Sequence, residues 1–347
     1  MYNNYEIHSG KPFTGAEKEK LVAFLKEQDL TYDEGITYSV TIEDQGKIIA
    51  SGSCQGNILK CIAVAPNYQG QNLMGNIMTM LVERLVKNGI THYFGFTKPK
   101  NKKVFSGAGL YPIAETNEVL LLENRRAGFK NYLKKLQQET EEQLKNGRKC
   151  KEGNKIIGAV VANCNPFTEG HRFLIRQAAR DCKLLHLFIL SQEQEFMSAE
   201  ERFELVREGV ADIPNVILHR TSDYLISPVV FPTYFIKEKA RAFDINCMLD
   251  IEIFRKYIAK TLQIDRRYVG SEPDCQVTRH YNECLKTYLP EAGISVVELS
   301  RLTTGKEVVS ASKVRQACQS GKMETVKDMV PESTWDYLNR RFMEEAV

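Results

Sequence analysis

Ile156-Ile157-Gly158-Ala159-Val160-Val161-Ala162 runs directly into Asn163-Cys164-Asn165-Pro166-Phe167-Thr168-Glu169-Gly170-His171. The first stretch is almost continuously apolar, the mark of a parallel strand buried on both faces. The second reads as a loop leading into a helix that begins near Gly170-His171. Strand, short loop and helix start are the unit from which a doubly wound α/β sheet is built. Ligands of such sheets bind at the carboxyl ends of the strands. A helix start at that point turns unpaired N–H groups and a positive dipole end toward the loop, which suits an anion. Gly170 removes a side chain where a phosphate would come close. Thr168 and His171, one helical turn apart, can place a hydroxyl and an imidazole N–H on one cluster of oxygens.

Downstream, the alternation continues. Residues 184–190 read as the next buried strand, and Ser198-Ala199-Glu200-Glu201 as a capping box opening a helix that runs to Val210. Residues 215–219 read as a strand, 237–243 as a helix, and 246–250 and 267–270 as further strand ends. Residues 295–299 form a strand and 310–320 a helix. Upstream, 125–152 is highly charged with sparse apolar residues, and its reading is an exposed connecting helix, a spacer. Earlier still, strands at 37–42 and 48–53 flank the turn Asp44-Gln45-Gly46-Lys47 as a hairpin. A strand at 58–64 precedes an amphipathic helix at 74–85, in which Ile77, Met78, Leu81, Val82 and Leu85 recur at helical spacing. A strand at 92–97, a short helix at 101–108 and a strand at 119–122 complete this part.

The chain has 347 residues with 47 basic and 44 acidic side chains, a net charge of +3. At roughly 100–200 residues per domain, that length implies two domains. A hydrophobic content of 43% excludes disorder as the main state, and the near-balanced charge argues against a general polyanion binder. No apolar run approaches the roughly 20 residues of a membrane-spanning helix. The start, MYNNYEIHSGKPF, lacks the layout of a signal peptide, so the expected location is cytoplasmic. The 9 cysteines are odd in number and hold no Cys-x-x-Cys pair, and the 6 histidines show no ligand spacing. Neither a disulfide framework nor a protein-bound metal site is expected.

Thr168-Glu169-Gly170-His171 fits the T/H-x-G-H signature and resembles the nucleotidyltransferase superfamily. The resemblance implies ATP or CTP binding and attack of a nucleophile on the α-phosphate, with release of pyrophosphate. It makes Thr168 and His171 the catalytic candidates, with Asn165, Phe167 and Gly170 at the nucleotide. Val309-Ser310-Ala311-Ser312-Lys313-Val314-Arg315 resembles the superfamily's Ser-x-Ser-x-x-Arg element, again at a helix start. By that resemblance Ser310, Ser312 and Arg315 hold the β- and γ-phosphates, with Lys313 assisting. Hydroxyls, helix N–H groups and a guanidinium are complementary to a polyphosphate. Gly270-Ser271-Glu272 resembles the superfamily's turn near the base, which makes Gly270 and Glu272 ATP contacts. Arg202 lies in a segment similar to one that reaches phosphate. An exposed helix arginine is the other reading of it.

Val64-Ala65-Pro66-Asn67-Tyr68-Gln69-Gly70-Gln71-Asn72-Leu73-Met74-Gly75 resembles the acyl-CoA pyrophosphate loop of the GCN5-related acetyltransferase fold, and Asn101, Phe105 and Gly109-Leu110 resemble a later stretch of it. Asn72 and Met74 stand where that loop has glycines, and their side chains should hinder close approach of a pyrophosphate. The expected organisation is therefore an acetyltransferase-like α+β domain at 1–125, a charged helical linker at 126–152, and a doubly wound, Rossmann-like nucleotidyltransferase domain at 153–347. This order is similar to the citrate lyase ligase family, as are Phe96-Thr97-Lys98-Pro99, Phe105-Ser106-Gly107-Ala108-Gly109 and Tyr268-Val269-Gly270. That resemblance implies a ligase that uses ATP, with Mg2+, to activate acetate as acetyl-adenylate. The acetyl group then passes to the thiol of the prosthetic arm on the acyl-carrier subunit of citrate lyase. Neither nucleic acid nor membrane is an expected partner. The alternatives are an adenylyltransferase that makes a dinucleotide product from a phosphopantetheine or mononucleotide acceptor, a non-catalytic nucleotide sensor, and a working acetyltransferase.

Overall fold

The computed structural model describes residues 5–33, 35–230, 247–273, 275–304 and 307–343. The chain forms two compact units, Met1–Phe129 with Pro228–Glu252, and Lys130–Ser227 with Ile253–Val347. Among the described residues no helix is long and apolar enough to cross a membrane. All nine cysteines are free, with Cys150 and Cys275 exposed and the others buried.

The first unit is built on strands β1 (Glu6–Gly10), β2 (Tyr38–Asp44), β3 (Lys47–Gln55), β4 (Ile58–Val64), β5 (Phe94–Thr97), β6 (Tyr111–Glu115) and β7 (Leu120–Glu123), with helices α1 (Gly15–Glu27), α2 (Leu73–Lys87) and α3 (Lys102–Gly107). They form one mixed sheet in the order β1-β2-β3-β4-β5-β7-β6, an α+β arrangement as expected from the sequence. The β2–β3 hairpin turns through Gln45 and Gly46, both at positive φ (49° and 76°). Such a two-residue turn matches the twist of the strands it joins. Ile77, Leu81 and Leu85 of α2 are fully or almost fully buried against the sheet, as their spacing predicts. Among the described residues of this sheet only β4 and β5 pair in parallel, at Ile58↔Phe94 and Leu59↔Gly95. Beyond those pairs the ladder stops. Residues 62–64 and 96–98 then line an open cleft of about 700 Å³.

The second unit contains α4 (Gly128–Lys145), β8 (Ile157–Ala162), α5 (Glu169–Asp181), β9 (Leu184–Ile189), α6 (Ala199–Gly209), β10 (Val216–Arg220), β11 (Arg266–Gly270), α7 (Gln276–Tyr288), β12 (Ser295–Leu299), α8 (Ala311–Gln319) and α9 (Glu332–Met343). Its five strands are all parallel, in the order β10-β9-β8-β11-β12. This is a doubly wound sheet. The winding reverses between β8 and β11, so the ligand crevice of such a fold lies at their carboxyl ends. The capping box at Ser198 and Glu201 is present at the start of α6.

Two expectations change. Residues 247–250 are helical rather than a strand end. Cys247, Leu249, Ile251, Ile253 and Phe254 are all buried, and so dense an apolar run does not distinguish a buried helix from a buried strand. The helix expected at 237–243 lies outside the described residues. The charged helix α4 is not a free spacer either. Leu136 is fully buried, and the Gln143 amide pairs with Leu218 of β10 in both directions. Its Nε2 donates to the Leu218 carbonyl at 2.8 Å, and its Oε1 accepts the Leu218 N–H at 2.9 Å. Tyr132 donates to the Arg220 carbonyl, and Glu139 meets His219 Nδ1 at 2.8 Å. The helix thus covers the open edge of β10, where unpaired backbone groups would otherwise face outward.

Candidate functional site

The loop after β8 and the first turn of α5 are fixed by a capping box in which a histidine takes the usual glutamate's place. Thr168 is the N-cap residue. Its Oγ1 accepts the His171 N–H at 3.3 Å, and His171 Nδ1 accepts the Thr168 N–H at 3.1 Å. Thr168 Oγ1 also lies 2.8 Å from Nδ1, so its hydroxyl proton points at the ring. Nδ1 is therefore an acceptor, and a neutral ring must carry its proton on Nε2. Burial, followed by the positive charge of Arg301, pulls His171 down to about 4. At neutral pH the imidazole is an uncharged Nε2–H donor, oriented by the residue that caps the helix.

Behind His171, the Phe167 ring is fully buried and lies nearly parallel to the imidazole, 6.1 Å between centroids. A Cβ on Gly209 would stand 2.3 Å from that ring, so glycine is what lets α6 approach it. Phe167 supports the site from within the core, leaving only its backbone to reach a nucleotide. Cys164 is also buried, and burial raises its thiol pKa well above the ordinary value. It packs and offers no nucleophile.

The second motif meets the first. Arg315 Nη1 donates to the Asn165 carbonyl and Nη2 to Ser312 Oγ at 3.0 Å. A Cβ on Gly170 would lie 3.4 Å from Val309 Cγ1, so Val309, two residues before α8, packs on the first turn of α5. Ser310 is the N-cap of α8, yet its side chain makes no capping bond. Lys313 is exposed on the first turn. Asn165 is 7% exposed, and its Oδ1 has no hydrogen-bond partner among the described residues. A buried amide oxygen with no partner is costly unless a ligand satisfies it. The donors fit the oxygens of a polyphosphate, and the orphan acceptor would need a donor such as a nucleoside hydroxyl or amine.

Gly270 ends β11, and its carbonyl accepts from Asn282 Nδ2 at 3.0 Å. Glu272 accepts the Cys275 N–H at 3.1 Å through Oε1 and pairs through Oε2 with Arg301. Arg202 has no exposed surface. Its guanidinium donates to the Asn163 carbonyl and side chain, the Gln192 carbonyl and the Ser198 carbonyl. It ties the loops after β8 and β9 to the start of α6, with every nitrogen engaged by protein. Arg301 was missed by sequence reasoning. The available signal was its place two residues beyond a strand, at the sheet end where ligands bind.

In the first unit, Tyr68, Gly70, Asn72, Met74, Lys98 and Lys100 are among the residues lining the 700 Å³ cleft. Asn72 adopts a left-handed conformation (φ 60°) before α2 without capping it. Its Oδ1 would lie 2.4 Å from a Cβ on Gly75. The Asn72 side chain, standing where a glycine was expected, thus fills space beside the helix start.

Residues 157–338 match the family described as the citrate lyase ligase C-terminal domain. The citrate (pro-3S)-lyase ligase of Klebsiella pneumoniae is 38% identical over 326 residues, covering 92% of each chain. Among solved structures, an acyl-CoA N-acyltransferase from Pseudomonas aeruginosa is 11% identical, covering 35% of this chain and 100% of its own, with a TM-score of 0.31. A bifunctional NMN adenylyltransferase/ADP ribose pyrophosphatase from Francisella tularensis is 16% identical, covering 55% of this chain and 50% of its own, with a TM-score of 0.38.

Proposed function

The chain belongs to the citrate lyase ligase family, and from that premise we propose that the starts of α5 and α8 together bind ATP and activate acetate. The acetate carboxylate attacks the α-phosphate, pyrophosphate leaves, and acetyl-adenylate forms. The thiolate of the citrate lyase prosthetic arm then attacks the acetyl carbonyl, and AMP leaves. Acetate, like other carboxylates, is already ionised at neutral pH, so the first step needs no general base. That agrees with a site made of donors rather than an acid–base pair. His171 Nε2–H donates to the α-phosphate as charge builds there, and Thr168 holds the ring in the donating tautomer. Arg315, Ser310 and Ser312, with the first N–H groups of both helices, hold the remaining phosphates. Lys313 adds positive charge, and the turn at Gly270 borders the nucleoside. Glu272 is engaged by Arg301 and the Cys275 N–H. Magnesium would accompany ATP as its counter-ion and neutralise part of the phosphate charge.

The observation that supports this reading is the hydrogen bond from Arg315 to the Asn165 carbonyl, which brings the two motifs side by side. Exchange of labelled pyrophosphate into ATP tests it. Exchange that requires acetate is expected. Exchange indifferent to acetate but driven by a phosphopantetheine or mononucleotide acceptor would replace this reading with the dinucleotide-forming one.

The cleft of the first unit suits the CoA-like arm of the acyl-carrier subunit, with Lys98 and Lys100 at its lining facing an anionic ligand. Reversing both charges (K98E with K100E) should abolish lyase acetylation while acetate-dependent exchange persists. Unchanged lyase acetylation would exclude that role.

A further inference from the structure

We infer that the lysine run from Lys98 to Lys103, with Val104 beside it, is a docking face for an acidic surface of the protein that carries the prosthetic arm. The inference rests on the reading that the cleft of the first unit receives that arm. Four of the six residues from Lys98 to Lys103 are lysine. The fold holds them on a fixed support. Asn101 Nδ2 donates to Thr97 Oγ1 at 2.9 Å, and the Asn101 N–H donates to the Lys98 carbonyl at 2.9 Å, which closes the turn between β5 and α3. Phe105 is buried and anchors α3 in the core of this unit. Around that anchor Lys100, Lys102 and Lys103 are exposed, and Val104 is 57% exposed.

The chain itself leaves most of this charge unanswered. Lys102 pairs with Glu115 at 3.0 Å, but the two side chains are 51% and 42% exposed, where an ion pair contributes little. Among the described residues Lys98, Lys100 and Lys103 have no ion-pair partner. Clustered like charges repel one another, and an oppositely charged partner removes that cost. The charges of the cleft are lopsided in the same sense. Its cationic lining residues, Lys98 and Lys100, both come from this segment, and its anionic one, Asp29, comes from the chain just beyond α1. An arm seated in the cleft is covalently tied to a protein, and the surface of that protein around the attachment point must rest on the rim. Val104 both lines the cleft and is exposed, so rim and outward face are continuous. An apolar side chain with charges around it is the layout of a specific protein contact, in which the charges govern orientation and encounter.

The test uses the full chain with K103E and K103Q, and citrate lyase prepared with and without its prosthetic arm. Lys103 lies outside the cleft lining, so both variants should keep acetate-dependent pyrophosphate exchange at the wild-type rate. The KM for arm-bearing lyase should rise about tenfold in K103E and less in K103Q, with kcat preserved, because a rim charge acts on encounter. Added salt should raise KM more steeply for the wild type than for K103E. In calorimetric titration, arm-free lyase should bind the wild-type chain and bind K103E about fivefold more weakly. An unchanged KM in K103E, or no binding of arm-free lyase to the wild type, would overturn the inference. So would binding of single-stranded RNA in preference to arm-free lyase. If K98E with K100E abolished acetylation while K103E behaved as wild type, the arm would keep its cleft and the docking face would fall. If acetylation survived K98E with K100E, the cleft would lose the arm, and binding of arm-free lyase to wild type and K103E would still decide the docking face.

Discussion

Arg315 and Asn165, 150 residues apart in sequence, are joined by a hydrogen bond from guanidinium to main-chain carbonyl. With Ser312 on its other arm, Arg315 is oriented before any ligand arrives. Replacing Arg315 with Ala should raise the dissociation constant for ATP roughly tenfold to a hundredfold, the scale of losing a charge-assisted contact to phosphate. Calorimetric titration with ATP checks this, and an unchanged affinity would remove Arg315 from the site.

His171→Ala should lower the rate of acetate-dependent pyrophosphate exchange by about 10²–10³-fold, as expected for one lost transition-state donor. Thr168→Val should reduce the rate less, because the ring loses its hydroxyl orienter but keeps the backbone N–H of residue 168. Exchange near wild type in the His171 variant would contradict the assignment.

Gly170 offers a separation of packing from binding. An added Cβ meets Val309 at 3.4 Å, an ordinary contact, and alanine is the better helix former. Gly170→Ala should therefore leave the thermal midpoint unchanged or slightly raised while weakening ATP binding. Equal losses of stability and binding would show that the residue is needed for packing instead.

Arg202→Ala should destabilise the chain by about 3 kcal/mol, since it strands several buried carbonyls that Arg202 now satisfies. Urea unfolding measures this. A variant of normal stability with impaired ATP binding would return Arg202 to the phosphate-contact reading.

Acid should destabilise the fold in a defined window. His171, His186 and His219 are all pulled below the ordinary 6.5, chiefly by burial, with His171 at about 4. The unfolded chain then binds more protons between those values than the native one. The contribution to stability is complete above about 6.5 and is lost as pH falls toward 4. The urea midpoint should drop between pH 7.5 and pH 5, and less steeply in His171→Gln.

Where a strand is buried on both faces, its sequence announces it, and β8 with its following loop was legible for that reason. The helix start at Ser198 was legible from capping chemistry. Other features carry no such mark. The docking of α4 depends on Gln143, Glu139 and Tyr132, polar side chains whose partners are backbone atoms of a strand far along the chain. Helix α7 buries little more than Asn282, Cys284 and Leu285, too few apolar residues to stand out. The inward direction of Phe167 and Arg202 is decided by neighbours such as Gly209 and Gln192, which no local pattern reveals. Arg301 acquires meaning only once β12 is known to lie beside β11.

The seat of α4 on β10 has a practical and an evolutionary corollary. By answering Leu218 in both directions, Gln143 denies that strand to any other chain, so the helix acts as a guard against strand-to-strand aggregation. A fragment cut after Lys145 would bare an adhesive border and tend to precipitate. Recombination that exchanged the front half of the molecule would have to leave α4 with the rear half to yield a soluble product.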